Sequence, residues 1–132
     1  MRRFVVLAAL VAAFVFLVPV IAAQAHDWYV GKRDPVTGGS CCTTSATASY
    51  GDCAQLAVDP GVLSGDVDGY RLRLTEEQAR RINPLRQGPV DTVIPWDRVQ
   101  ASHDGNFHLC IPSREVPNMA ADFYCFWAPP NS

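Results

Sequence analysis

The chain has 132 residues, 11 Lys or Arg against 13 Asp or Glu, and a formal charge of −2 at pH 7. That length suits one small domain. With no basic excess, the chain lacks the footprint of a nucleic-acid binder and the charge needed to adhere to anionic membranes.

Arg2 and Arg3 form a basic start, a charge-free apolar run extends from Phe4 to Val18, and Pro19 leads to Ala23-Gln24-Ala25. This is the order of a cleavable export signal, and it predicts a cut after Ala25. The alternative is a retained anchor, because the 20 residues from Phe4 to Ala23 carry no charge and would span a bilayer. Pro19 and the alanines at the −3 and −1 positions favour cleavage. Residues 1–25 are therefore expected to be a signal peptide, with residues 26–132 a single small domain in the periplasm or outside the cell. That domain would have 107 of the 132 residues, with 9 basic and 13 acidic groups and a formal charge of −4. No stable membrane span would remain after cleavage.

All nine glycines and nine of the ten prolines lie after residue 25. Such punctuation favours short strands and turns over long helices. The expected fold class is small α+β, mainly antiparallel β-sheet with one short helix, stapled by disulfides.

In chain order, residues 30–52 read as loop, interrupted by Gly31, Pro35, Gly38, Gly39 and Gly51. Cys41 and Cys42 are expected to tie this segment down. Asp66-Val67-Asp68-Gly69 has a fragment of a calcium loop but lacks the remaining ligands, so it reads as a solvated turn. Tyr70-Arg71-Leu72-Arg73-Leu74 alternates as a half-buried strand. Thr75-Glu76-Glu77-Gln78 is a capping box opening a helix that ends near Ile82, since Pro84 disfavours helical geometry at Asn83. Val90 to Ile94 is a second strand. Asp104-Gly105 marks a turn before a strand at Phe107–Ile111, and Asp122–Trp127 reads as another strand. Residues 128–132 read as a frayed tail.

The five cysteines are Cys41, Cys42, Cys53, Cys110 and Cys125. In an oxidising compartment they read as a disulfide framework with one thiol left over. An antiparallel return between the last two strands would set Cys110 opposite Cys125, which predicts a bridge there. A local bridge would then join Cys53 to Cys41 or Cys42. The leftover thiol would be buried and inert, paired with a second chain, or reactive. No C-x-x-C pair is present, which argues against structural zinc.

Processing after Ala25 would leave the α-amino group and imidazole of His26 on one residue. Copper proteins with a histidine brace use that arrangement with a second histidine, here His103 or His108. His108 also reads as a histidine packed on Trp127. A thiol enzyme would need the spare cysteine beside one of these histidines, and no G-x-S-x-G elbow is present. Trp28, Tyr29, Trp96, Tyr124 and Trp127 read first as core and second as a binding surface.

His26-Asp27-Trp28-Tyr29, Cys41-Cys42, Asp52-Cys53, Ser102-x-Asp104-Gly105-x-Phe107-His108-x-Cys110 and Cys125-Phe126-Trp127-Ala128-Pro129-Pro130 occur in that order. This pattern resembles a family of small exported proteins of Gram-negative bacteria that has no assigned activity. The chain departs from the pattern in a longer segment between Cys42 and Cys53. The resemblance implies export and supplies no activity to carry over. The leading expectation is a non-enzymatic structural or binding module with an envelope or extracellular partner and no cofactor. Copper binding through His26 is the alternative, and a thiol-dependent enzyme is the third.

Overall fold

Alternation along Gly69–Leu74 (β3) buries Tyr70, Leu72 and Leu74 on one side and turns Arg73 outward. It is the middle strand of a three-stranded antiparallel sheet, between Leu63–Asp66 (β2) and Val90–Pro95 (β4). On the outer face Arg71 reaches Asp91 of β4 at 2.5 Å. The turn at Asp66–Gly69 joins β2 to β3 as a hairpin. Gly69 is required there because a Cβ would lie 1.9 Å from the Ile94 carbonyl oxygen. The computed structural model that shows this describes residues 28–42, 52–59, 61–115 and 122–132. The expected signal of residues 1–25 and the expected metal ligand His26 lie outside the described residues.

Between β3 and β4 runs the helix Glu76–Ile82 (α1), with Thr75 as N-cap. Its capping box is complete: the Gln78 N–H donates to Thr75 Oγ1 at 3.2 Å, and the Thr75 N–H donates to Gln78 Oε1 at 2.9 Å. Glu76 and Glu77 occupy the first turn, Arg80 and Arg81 the last, as the helix dipole favours. Ala79 and Ile82 are the buried side chains. Asn83 ends the helix in an extended conformation before Pro84.

A second sheet has four strands in the order β1-β6-β7-β5, namely Cys53–Gln55 (β1), His108–Cys110 (β6), Cys125–Ala128 (β7) and Val99–Ala101 (β5). Its pairings are antiparallel except β5 with β7, which is parallel. One face of this sheet presents Leu109, Phe126 and Ala128, which join Tyr70, Leu72, Ile94, Ala79 and Ile82 in a single apolar core. The opposite face carries Cys110, Cys125, His108 and Trp127 and is covered by residues 28–42.

The tail is not frayed, contrary to the sequence expectation. Ala128 belongs to β7, and the Ser132 hydroxyl lies 2.9 Å from the Tyr70 hydroxyl. The protein is a single domain of mostly antiparallel sheet with one short helix among the described residues. No helix among them is long and apolar enough to cross a membrane.

Candidate functional site

The strand register sets Cys53, Cys110 and Cys125 side by side across β1, β6 and β7. Cys41 and Cys42 arrive over this row from the 28–42 loop. Cys41 bridges Cys125 across 84 residues, and Cys53 bridges Cys110 across 57. The Cys53–Cys110 pair has a Cα separation of 4.0 Å. The Ile111 N–H donates to the Asp52 carbonyl just beyond the pair at 2.9 Å. Cys53 and Cys110 thus occupy a non-hydrogen-bonded position, where facing residues approach most closely.

Two bridges expected from the sequence do not form. Cys110 and Cys125 are cross-strand neighbours, as the antiparallel return requires, yet they do not bridge each other. A strand at Cys53–Gln55 occupies the other side of β6 and takes Cys110, while the loop delivers Cys41 to Cys125. Nor does Cys53 bridge Cys41 or Cys42, for the same reason.

Cys42 is the leftover thiol among the described residues, and it is half-buried. Its Sγ lies 3.1 Å from Cys53 Sγ. Burial, and then the charge of Asp52, push its thiol up to about 11, so it is protonated at neutral pH. That is the reverse of the low-pKa thiolate a cysteine enzyme uses.

Beside the sulfurs, His108 faces Trp127 across the β6–β7 pair, as the sequence suggests. Both of its ring nitrogens are engaged: Nδ1 is 2.7 Å from the Tyr29 hydroxyl and Nε2 is 2.8 Å from Asp104 Oδ1. Burial first, then the Asp104 charge, push the Tyr29 phenol up to about 12. Tyr29 therefore keeps its proton, and His108 joins its hydroxyl to the Asp104 carboxylate through the two ring nitrogens. The hydrogen bond from His108 is the leading cause holding the Asp104 carboxyl well below the usual carboxylate range. Asp104 reaches back because Gly105, at φ 74°, reverses the chain between it and His108.

Trp28 packs over this group, stacked on His103 at 4.3 Å between ring centroids and 4.8 Å from His108. His103 is exposed at its turn, as expected. The structure thus gathers His103 and His108 around Trp28. A metal at His108 would have to displace Tyr29 or Asp104, whereas His103 is an exposed residue stacked on Trp28.

No family model, curated protein or solved structure matches the chain.

The loop over the site is fixed by a buried ion pair that sequence reading misses. Arg98 Nε donates to Asp34 Oδ2 at 2.7 Å, and its guanidinium lies 4.0 Å from the Phe123 ring centroid. Asp34 Oδ1 also accepts from the Val36 and Thr37 N–H groups. Burial raises the Asp34 carboxyl, but the Thr37 N–H and Arg98 outweigh it, and its pKa is lowered overall. A second buried arginine, Arg86, pairs with Asp122 through both terminal nitrogens and donates to the carbonyls of Gly88, Pro89 and Pro112. Every donor position of that guanidinium is engaged, so it fastens loops and is closed to a ligand.

Proposed function

We propose that this chain is an exported, non-enzymatic module whose role is structural or binding. The observation that carries this reading is that, among the described residues, the titratable groups under and beside the 28–42 loop are engaged with one another. Tyr29, His108 and Asp104 consume one another, Arg98 consumes Asp34, and the spare thiol is protonated and beside a disulfide rather than a histidine. Groups so engaged hold a loop on a sheet and leave neither a base nor a nucleophile to act on a substrate.

Two disulfides and no membrane-crossing helix among the described residues are consistent with export. The export-signal pattern before His26 and the resemblance to a small exported family support placing it in the periplasm or outside the cell. Intact mass of the exported, non-reduced protein tests the reading. The expected species begins at His26, carries two bridges and takes up one alkylating group after denaturation. Recovery of a fully reduced chain that retains residues 1–25 would overturn it.

One observation favours a second reading, copper bound through His26. Trp28, two residues after His26, contacts both remaining histidines, so the chain approaches His103 and His108 just after the expected N-terminus. His103 would be the second imidazole, because His108 is already engaged at both nitrogens. Copper titration of the processed protein tests this. The reading requires binding tighter than micromolar that falls at least tenfold in His103→Ala; equal binding by the two proteins would contradict it.

A further inference from the structure

Three sulfurs lie within 4.8 Å of one another: Cys42, Cys53 and Cys110. Two form a bridge, and the third, Cys42, touches one end of it at 3.1 Å. We propose that these three residues form an internal thiol–disulfide exchange centre, in which the bridge moves between Cys53–Cys110 and Cys42–Cys53.

The step needs no co-reactant. The half-buried Cys42 thiol loses its proton to solvent hydroxide, which is regenerated when Cys110 is protonated by water, and the Cys42 thiolate attacks Cys53 Sγ. The Cys42–Cys53 bond forms as the Cys53–Cys110 bond breaks, and the bonding pair leaves on Cys110 Sγ, which takes up a proton. One disulfide and one thiol stand on each side, so nothing is oxidised or reduced overall. Cys53 is the shared centre, and the other two alternate as nucleophile and leaving group.

The fold tolerates both forms. The register of β1 on β6 does not depend on the bridge alone. The Ile111 N–H donates to the Asp52 carbonyl at 2.9 Å and the Leu56 N–H to the Phe107 carbonyl at 2.8 Å, on either side of it. In the exchanged form the free thiol is Cys110, which is fully buried. A free cysteine is at home in such a place as a small apolar side chain. Exchange thus unfastens β1 from the centre of the sheet and fastens it instead to the 28–42 loop, which the Cys41–Cys125 bridge already anchors.

The exchange is slow at neutral pH and base-driven, since the thiolate is the attacking species. Asp52 and Tyr29 are the titratable groups that face Cys42. Burial first, and then Asp52, keep the thiol protonated, and Tyr29 is neutral across the alkaline window. The rate is therefore expected to rise about tenfold per pH unit from pH 7 toward pH 10.

The test uses the full oxidised chain, held at pH 7 or pH 9, quenched in acid and digested with pepsin without reduction. Acid freezes exchange, so linked peptides report the bridge directly. Wild-type protein is expected to show a Cys42–Cys53 peptide that accumulates about a hundredfold faster at pH 9 than at pH 7, and Cys42→Ser none. Wild-type protein showing only Cys53–Cys110 at both pH values would overturn the proposal. Cys110→Ser tests the geometry separately: it is expected to carry Cys42–Cys53 and no free thiol. If that variant folds with Cys42 and Cys53 both alkylatable, the proposal also fails. Should it not fold, the wild-type time course still decides.

Discussion

On one face of the four-stranded sheet, Leu109, Phe126 and Ala128 meet Tyr70, Leu72 and Ile94. On the other, Cys110, Cys125, His108 and Trp127 meet a loop whose two valines, Val30 and Val36, point to solvent. The first face is held by burial of aliphatic and aromatic surface. The second buries Tyr29 and Trp127 under Trp28, but no aliphatic side chains among the described residues, and adds to those rings a bridge, a histidine with two partners and a buried ion pair. A small chain has little apolar bulk to cover both faces of a sheet, and here the shortfall on one face is met with bonds. That difference makes the covered face sensitive to redox state and pH, while the apolar face answers to packing.

The largest effect should come from the apolar face. Phe126→Ala removes a fully buried ring and is expected to cost about 3–5 kcal/mol in urea denaturation. Because Phe126 lies in β7 beside Cys125 and Trp127, it should weaken the whole domain. Removing the Cys41–Cys125 bridge as Cys41→Ala with Cys125→Ala is expected to cost about 3 kcal/mol. Its signature is local loosening of residues 28–42, read by limited proteolysis with the β2–β3–β4 sheet intact.

Asp34→Asn keeps the turn but leaves Arg98 buried without its counter-charge, at a cost of about 2–3 kcal/mol. The same pair gives the pH dependence a sign. Asp34 and Asp104 both have carboxyl pKa values lowered by folding. Their contribution is present above the unfolded value, near 4, and is lost as pH falls through the lower folded values. Urea midpoints should therefore drop below about pH 4, and less steeply in Asp34→Asn. The smallest effect is Tyr29→Phe, expected to cost about 1 kcal/mol by removing one hydrogen bond to His108. A cost below the error of the urea midpoint would show that the Tyr29–His108 bond adds nothing to the clamp.

The apolar face was the legible one. Alternation at Tyr70–Leu74, the Thr75–Gln78 box and the Pro84 stop are local signals, and each determines its own residues. The neighbouring of Cys110 and Cys125 was legible too, because the strand around each is rich in aromatic and branched residues. The bridges were not, because they depend on Cys53–Gln55, a three-residue strand too short to show alternation. Val99–Ala101 escaped for the same reason, and its parallel pairing with β7 has no turn to announce it. The Arg98–Asp34 and Arg86–Asp122 pairs span 64 and 36 residues. At those separations any arginine and any aspartate look alike until the sheet brings two of them together. The sequence offers His108 as one of two second ligands for a metal at His26 and as a histidine packed on Trp127, but nothing local shows that Tyr29 and Asp104 come to its two nitrogens.

The 28–42 loop is a clamp with its own stability, distinct from the core behind it. Hydrogen exchange on wild-type protein and the Cys41→Ala, Cys125→Ala double variant tests it most directly. The amides at positions 34, 38 and 41 donate within the loop, and the Arg73 amide donates to the Val62 carbonyl behind the core. Loss of the bridge is expected to speed exchange at the three loop positions about a hundredfold and to leave Arg73 within about twofold. Equal acceleration at all four positions would contradict it, because the two faces would then open as one.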